Sequence, residues 1–222
     1  MLHHEPPLME LDKTTVKYNG QAALTEITLS IHKGEKIALI GQSGAGKSTL
    51  LQLLYEQNKS DAAIVPQELG LVRSLSVFHN IFMGRLHLNS TWYNLINLIK
   101  PLKVEIDQIK PIVEKLRLEE KLFAPVRELS GGQQQRTAVG RALHKNSNLF
   151  FGDEPVSAVD EHQSHAVMRS IVDNHETVVL SMHDIKLAIE YSDRVIGLKQ
   201  GRMVMDESSN GMKASDLAGI YQ

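Results

Sequence analysis

The sequence contains no cysteine, which excludes disulfides, a thiolate nucleophile and any thiolate-bound metal centre. A chain of this kind suits a reducing cytosol. Aromatic residues are sparse, at 5%, and no repeat or low-complexity tract interrupts the 222 residues, so fibrous and repeat architectures are excluded. No apolar run approaches the roughly 18 residues needed to cross a bilayer. The opening stretch, Met1 to Thr15, lacks the basic end and apolar run of a secretory leader, so attachment to a membrane would depend on another protein. Neither charge dominates: 24 Lys and Arg against 26 Asp and Glu leave a net charge of −2, and no global basic field points to nucleic acid. What is present, 42% hydrophobic and 23% charged residues, is the composition of an ordinary globular protein. The length suits one domain of the larger kind.

Hydrophobic patterning predicts a strand over Leu8 to Tyr18, a turn at Asn19-Gly20, and a second strand pair, Ala23 to Ile31 and Lys36 to Ile40, about a Lys33-Gly34 turn. The run Ile37-Ala38-Leu39-Ile40 is apolar on both faces, as a buried parallel strand requires. A helix pattern begins near Lys47, and a short strand, Ala62 to Val65, ends at Pro66-Gln67. The middle, Ser76 to Leu122, reads as helical, with Trp92, Leu95, Ile96 and Ile99 on one face before Pro101. Pattern alone favours a face that covers a helical subdomain; the alternative is a docking surface for a membrane partner. From Ser130 helices alternate with strands again: a helix to about Lys145, a strand at Leu149 to Phe151, a helix from Asp160 to His175, and a strand from Thr177 to Met182. A helix from Asp184 to Tyr191, strands at Arg194 to Leu198 and Met203 to Met205, and a short C-terminal helix complete the chain. This rhythm predicts an α/β fold with a mainly parallel sheet covered on both faces, a small antiparallel N-terminal β part, and a helical subdomain inserted at about 68–145.

Gly41-Gln42-Ser43-Gly44-Ala45-Gly46-Lys47-Ser48-Thr49 contains the pattern G-x-x-x-x-G-K-[ST] between a buried strand and a helix. The glycines let the backbone curl until successive N–H groups face one anion, and the helix N-terminus adds its partial positive charge. Lys47 can reach β and γ phosphates, and the Ser48 hydroxyl can ligate Mg²⁺. The plain alternative, a Gly-rich turn with an incidental lysine, does not explain the flanking strand and helix. Asp153-Glu154 follows the apolar strand Leu149 to Phe151. A carboxylate at that strand end holds Mg²⁺ in P-loop enzymes, which suits Asp153, while Glu154 can polarise an attacking water. An acidic pair after a strand is otherwise a helix-start signal. A base beside the metal carboxylate favours hydrolysis over transfer to a substrate hydroxyl, and so disfavours a P-loop kinase.

Leu129-Ser130-Gly131-Gly132-Gln133-Gln134-Gln135-Arg136 is the most informative stretch. Ser130 with Gln133 three residues later is a capping box. Two glycines in the first helical turn cost about 1 kcal/mol each relative to alanine, however, and a cap alone does not need them. They make sense where another group approaches the backbone closely, and bare N–H groups at a helix start favour a phosphate.

LSGGQQQR, with GQSGAGKST, LFFGDEP, SAVD and SMHD in this order, resembles the ATP-binding cassette (ABC) ATPases from about Leu8 to Met205. The resemblance implies two cassettes packed head to tail, each ATP lying between one phosphate loop and the partner's LSGGQ, so that Ser130, Gly131, Gly132 and Gln133 act in trans. It implies that Tyr18 stacks on adenine and that Gln67 touches Mg²⁺ and water. It also makes Asp160 part of the loop at the dimer interface, although Val159 replaces the usual leucine, and His183 the switch histidine near the γ-phosphate. His3 and His4 read as a solvated terminus without a third ligand.

Two features depart from or refine the pattern. Lys47 and Gln67 are only 67 − 47 = 20 residues apart, shorter than the family spacing that holds a small antiparallel hairpin. The segment after Gln67, with Gly84-Arg85-Leu86 followed by Ser90-Thr91-Trp92, resembles the phosphonate-import branch. The expected function is therefore the ATPase subunit of a transporter for phosphonate or a related oxyanion. It would require ATP and Mg²⁺, a second copy, an integral permease and a substrate-binding receptor, and would sit at the inner face of the cell membrane. A soluble ABC-type ATPase that remodels nucleic acid or ribosomes is the alternative, disfavoured by the lack of a long coiled coil or basic tail. Transport in the export direction also shares these motifs.

Overall fold

A computed structural model describes residues 6–221; His3 and His4 lie outside them. The chain forms two compact units. One comprises the residues up to Ile64, Asn148–Glu154 and the residues from His175 onward. The other comprises Val65–Ser147 and Pro155–Asn174.

In the first unit β1 (Met9–Tyr18) and β2 (Gln21–Ile31) form a separate two-stranded antiparallel sheet. Asn19 and Gly20 both have positive φ, 48° and 82°, as a two-residue hairpin turn requires. The remaining strands are β3 (Lys36–Ile40), β4 (Ala62–Val65), β5 (Leu149–Asp153), β6 (Thr177–Ser181), β7 (Arg194–Lys199) and β8 (Arg202–Ser208). They form a six-stranded sheet in the order β4-β5-β6-β3-β7-β8. The β5–β6, β6–β3 and β3–β7 pairs are parallel, and β8 runs antiparallel to β7.

The sequence-based pairing of Ala23–Ile31 with Lys36–Ile40 is not what forms: β2 pairs with β1, while β3 lies between β6 and β7. The reason lies in burial. Ile37 to Ile40 are at most 1% exposed, and a strand apolar on both faces gains most at the centre of a covered parallel sheet. The hairpin strand β2 instead buries Ile27, Leu29 and Ile31, alternate residues on one face, and Leu24 beyond the irregularity at Glu26. These pack in one core with Leu50, Leu51 and Leu54 of α1 (Lys47–Gln57) and with Leu39, Phe151 and Val179 of the large sheet. After α1 the chain turns at once into β4, with Ala62 N–H donating to the Asn58 carbonyl. The short Lys47–Gln67 spacing therefore leaves no room for an added hairpin. α7 (Ile185–Tyr191) and a 3₁₀ turn, Ala214–Ile220, complete this unit.

The second unit is helical: α2 (Val77–Phe82), a 3₁₀ turn at Met83–Leu88, α3 (Thr91–Ile99), α4 (Lys103–Lys115), α5 (Gly131–Lys145) and α6 (Glu161–Asn174). Its core includes Phe78, Ile81, Ile109, Val113, Val139 and Ile171. The apolar face of α3 does not cover this core. Trp92 and Ile99 are 76% and 79% exposed, and Leu95 and Ile96 are exposed as well, so the core-covering expectation fails for this helix.

Candidate functional site

Parallel strands place their carboxyl ends at one edge of a sheet, and that edge is where α/β folds bind ligands. The register does this here: Asp153 at the end of β5 pairs with Ser181 at the end of β6, and Ser181 also pairs with Leu39 near the end of β3. Gly41, Glu154 and His183 follow these three ends, so the loop and the acidic pair meet although more than a hundred residues separate them.

The phosphate loop runs from Gly41 into α1. Gly46 has φ 106°, and a Cβ there would stand 2.8 Å from Leu24 Cδ2 and 2.9 Å from the Ala23 carbonyl, so only glycine fits. The first helical bond of α1 runs from Leu50 N–H to Gly46 O, which leaves the amides ahead of it without helical acceptors. Lys47 is 5% exposed, and its Nζ donates to the carbonyls of Gly41 at 2.7 Å and Gln42 at 3.1 Å. Burial holds its ammonium pKa below the ordinary lysine value, opposed by the charges of Glu154 and Asp153.

Asp153 is 6% exposed, and its Oδ1 is buried with no hydrogen-bond partner. Glu154 adopts φ 52°, a left-handed conformation unusual for this residue type. Its amide donates to Ser181 O at 3.0 Å, and Oε1 lies 2.8 Å from His183 Nε2. Two carboxylates thus leave the same strand end in different settings. One has a bare buried oxygen beside Lys47, and the other is tied to a histidine. Ser43 and Ser48 are exposed and Thr49 is half-buried. Tyr18 stands at the hairpin end, 58% exposed.

Of the remaining candidates, Gln67 is exposed in the bend after β4 and belongs to the helical unit. Ser130, Gly131, Gly132, Val159 and Asp160 line one cavity of about 380 Å³ in that same unit. The capping box is present: Gln133 N–H donates to Ser130 Oγ at 3.3 Å, and Ser130 N–H to Gln133 Oε1 at 3.0 Å. Asp160 caps α6, its Oδ1 accepting from Gln163 N–H at 3.0 Å. The two glycines differ. A Cβ on Gly132 would stand 2.6 Å from the Ala158 carbonyl oxygen, whereas on Gly131 it would meet nothing closer than Ala158 Cβ at 3.7 Å. The chain's own packing requires Gly132 but not Gly131.

Several residues that hold these groups were not legible in the sequence. Gln135 donates to Ser157 Oγ at 3.2 Å and accepts from Ala158 N–H at 2.7 Å, which fixes the Asp160 loop beside the start of α5. Buried Arg136 donates to the carbonyls of Leu116 and Arg117 after α4. Gln42 Nε2 donates to Tyr221 O at 2.6 Å, so the C-terminal turn braces the phosphate loop. The run of glutamines before Arg136 is the one local signal for the first two; nothing local marks Tyr221.

The fold and this site define a P-loop nucleoside-triphosphate-binding protein. The family model described as "ABC transporter" matches residues 24–157, and the chain belongs to that family as an ATP-binding, ATP-hydrolysing subunit. It is 31% identical to "Phosphonates import ATP-binding protein PhnC" of Rhizobium etli, over 96% of this chain and 86% of that protein. With the protein of the same name from Lactobacillus acidophilus it shares 32% identity, over 98% and 95%. Likeness to the phosphonate-import branch therefore extends along nearly the whole chain. Among solved structures it is similar to the dimeric post-hydrolysis state of the cassette MJ0796 bound to ADP and Pi. That match has a TM-score of 0.74 and 25% identity, and covers 91% of this chain and 99% of that one. CbiO1 from Clostridium perfringens shares the fold, with a TM-score of 0.73 and 21% identity over 93% and 90%. No described helix is long and apolar enough to cross a membrane.

Proposed function

We propose that the chain is the ATPase subunit of an importer for phosphonate or a related oxyanion, working as a head-to-tail dimer beneath an integral permease at the cytoplasmic face of the cell membrane. A substrate-binding receptor delivers the cargo to that permease. The observation that carries this reading is the contrast between a centre built on buried Lys47 and Asp153, with the Glu154–His183 pair beside them, and the exposed start of α5, where Gly131 is open although nothing in the chain requires a glycine there. The names of the relatives support the cargo and the direction.

Tyr18 stacks on adenine, and the backbone from Gly41 to Thr49 wraps the phosphates. Lys47 exchanges its two loop carbonyls for β- and γ-phosphate oxygens. Mg²⁺, when bound, would supply positive charge against the transferring phosphoryl group. Ser48 and Asp153 would hold it, and the bare Asp153 Oδ1 fits that role. No group of three His, Cys, Asp or Glu able to hold a metal exists among the described residues, so phosphate and water oxygens would complete the shell. Glu154 takes a proton from the attacking water as its oxygen bonds to the γ-phosphorus and the bond to ADP breaks. His183 fixes Glu154 through Nε2. Ser130, Gly131, Gly132 and Gln133 of a second copy close over the γ-phosphate, with Asp160 lining the interface. The exposed face of α3 and the apolar groove of about 270 Å³ beside it, lined by Phe82, Leu86 and Leu95, receive the permease.

Mixing two inactive variants tests the dimer. Lys47→Ala chains and Gly131→Glu chains have no intact site alone, but a mixed head-to-tail dimer has one. The mixture is expected to recover about a quarter of wild-type ATPase; no recovery overturns action in trans. Deleting the gene should abolish methylphosphonate uptake, restored by the wild-type chain and not by Glu154→Gln. Uptake that survives the deletion overturns the cargo.

A further inference from the structure

The helical unit holds a second polar cavity, of about 460 Å³, away from the α5 helix start. Arg85, Gln108, Lys115, His144, Asn146 and Asn174 form its polar wall, two aliphatic side chains complete it, and no carboxylate lines it. We propose that this cavity binds a small oxyanion of the phosphate class: phosphate, a phosphonate or a phosphate monoester. The inference stands apart from the transport reading.

Three observations carry it. His144 is 2% exposed, and its Nε2 is buried with no hydrogen-bond partner. Arg85 Nε is also buried without a partner, while its Nη1 donates to Gln108 Oε1 at 3.3 Å. Buried donors and acceptors are almost always satisfied, so two orphans on side chains that line one polar cavity call for a ligand that enters it and, with a small shift of each side chain, pairs with both. The positive charges of Arg85 and Lys115 meet no Asp or Glu on the cavity wall. Burial and the neighbouring guanidinium push the His144 pKa down to about 4. At neutral pH the ring is therefore uncharged, with one N–H to donate. A tetrahedral oxyanion takes hydrogen bonds from a guanidinium, an ammonium and an imidazole together.

The ends of α4 and α5 border the same cavity, and helix C-termini favour cations. Those carbonyls are largely committed. Asn146 N–H caps Leu143, Leu116 N–H caps Ile112, and Arg136 takes the Leu116 and Arg117 carbonyls. A cation would also lie against Arg85 and Lys115, with Gln108 Oε1 already engaged by Arg85. The balance favours an anion. Gly84 seats Arg85 at this wall: a Cβ there would stand 2.4 Å from the Arg141 carbonyl oxygen, so only glycine lets the 3₁₀ turn press this closely on α5.

The test uses the whole chain loaded with Mg²⁺ and a non-hydrolysable ATP analogue, so that the γ-phosphate position is filled, and repeats it on Lys47→Ala, whose phosphate loop is disabled. Inorganic phosphate and methylphosphonate are titrated separately by calorimetry, and the ring of His144 is followed by NMR. Saturable binding that shifts the His144 resonances is expected, weakened at least about 10-fold in both Arg85→Gln and exposed Lys115→Gln. Tighter phosphate identifies the product of ATP hydrolysis as the source; tighter methylphosphonate identifies a phosphonate drawn from solution. No saturable binding up to about 10 mM, binding unchanged in both variants, or equal replacement by chloride overturns the proposal. So does Mg²⁺ bound at this cavity.

Discussion

The two units hold their candidate phosphate-binding groups in opposite ways. In the sheet unit Lys47 and Asp153 are buried and Glu154 is partly so, and packing or backbone conformation holds them. Lys47 is folded onto its own loop, Asp153 sits at the end of a fully buried strand, and Glu154 is turned by a left-handed backbone. In the helical unit Ser130 and Gly131 are exposed. They are held from behind by a capping box and by Gln135, with Gly131 open to its surroundings. One half is built on buried charges and the other as a presented surface. A helix start that faces outward has its use in an encounter, whereas a pair of buried charges is assembled before one.

The contrast can be broken or sharpened by experiment. The largest effect is expected at the sheet-unit centre. Glu154→Gln should lower turnover by roughly 10²–10⁴-fold while ATP affinity stays within a few-fold, and single-turnover assays beside nucleotide titrations would measure this. Undiminished turnover would remove Glu154 from the role of base.

The glycine pair comes next, because it separates fold from function within the presented surface. Gly132→Ala drives a methyl against the Ala158 carbonyl and should destabilise the helical unit by about 1–3 kcal/mol in denaturant melts. Gly131→Ala meets only ordinary contact. It should leave stability equal or raise it by up to about 1 kcal/mol, yet lower ATPase at least about 10-fold by crowding an approaching phosphate. Equal behaviour of the two variants would erase the distinction.

Acid should find the helical unit through His144. Its folded pKa, about 4, lies below the unfolded value near 6.5, so the unfolded chain binds the extra proton first. Stability is then full above pH 6.5 and is lost as pH falls from 6.5 towards 4, with a slope of about 1 kcal/mol per pH unit. His144→Gln should flatten that slope in urea melts at pH 7 and pH 4.5. The smallest effect belongs to Tyr18. Losing one stacking surface in Tyr18→Ala should raise the KM for ATP by about 5–10-fold with kcat little changed.

Much of both units was legible in the sequence wherever the signal is local. The phosphate loop declares itself because anion binding at a strand–helix turn needs glycines, a lysine and a hydroxyl at fixed spacing. The Ser130–Gln133 box is likewise written within four residues, and it forms as expected. Patterning located the buried strands within a few residues. It could not say which strands become neighbours. The alternation in Ala23–Ile31 and the apolar run Lys36–Ile40 looked like one hairpin, and only competition for the centre of the covered sheet separates them. The face of α3 shows the same limit, because an apolar stripe has one signature whether it is buried or presented.

The sequence by itself therefore determined the chemistry: a phosphate cradle, an acidic pair, a glycine-bearing helix start and their order along the chain. Only the tertiary structure decided the meetings. The Asp153–Ser181–Leu39 register brings acid and lysine together, Tyr221 braces Gln42, and Gly132 is demanded by packing while Gly131 is left free. The reason is range. Turn, cap and loop energies act between residues a few positions apart and leave a local trace, whereas strand order and close backbone approach arise from burying apolar surface between distant segments.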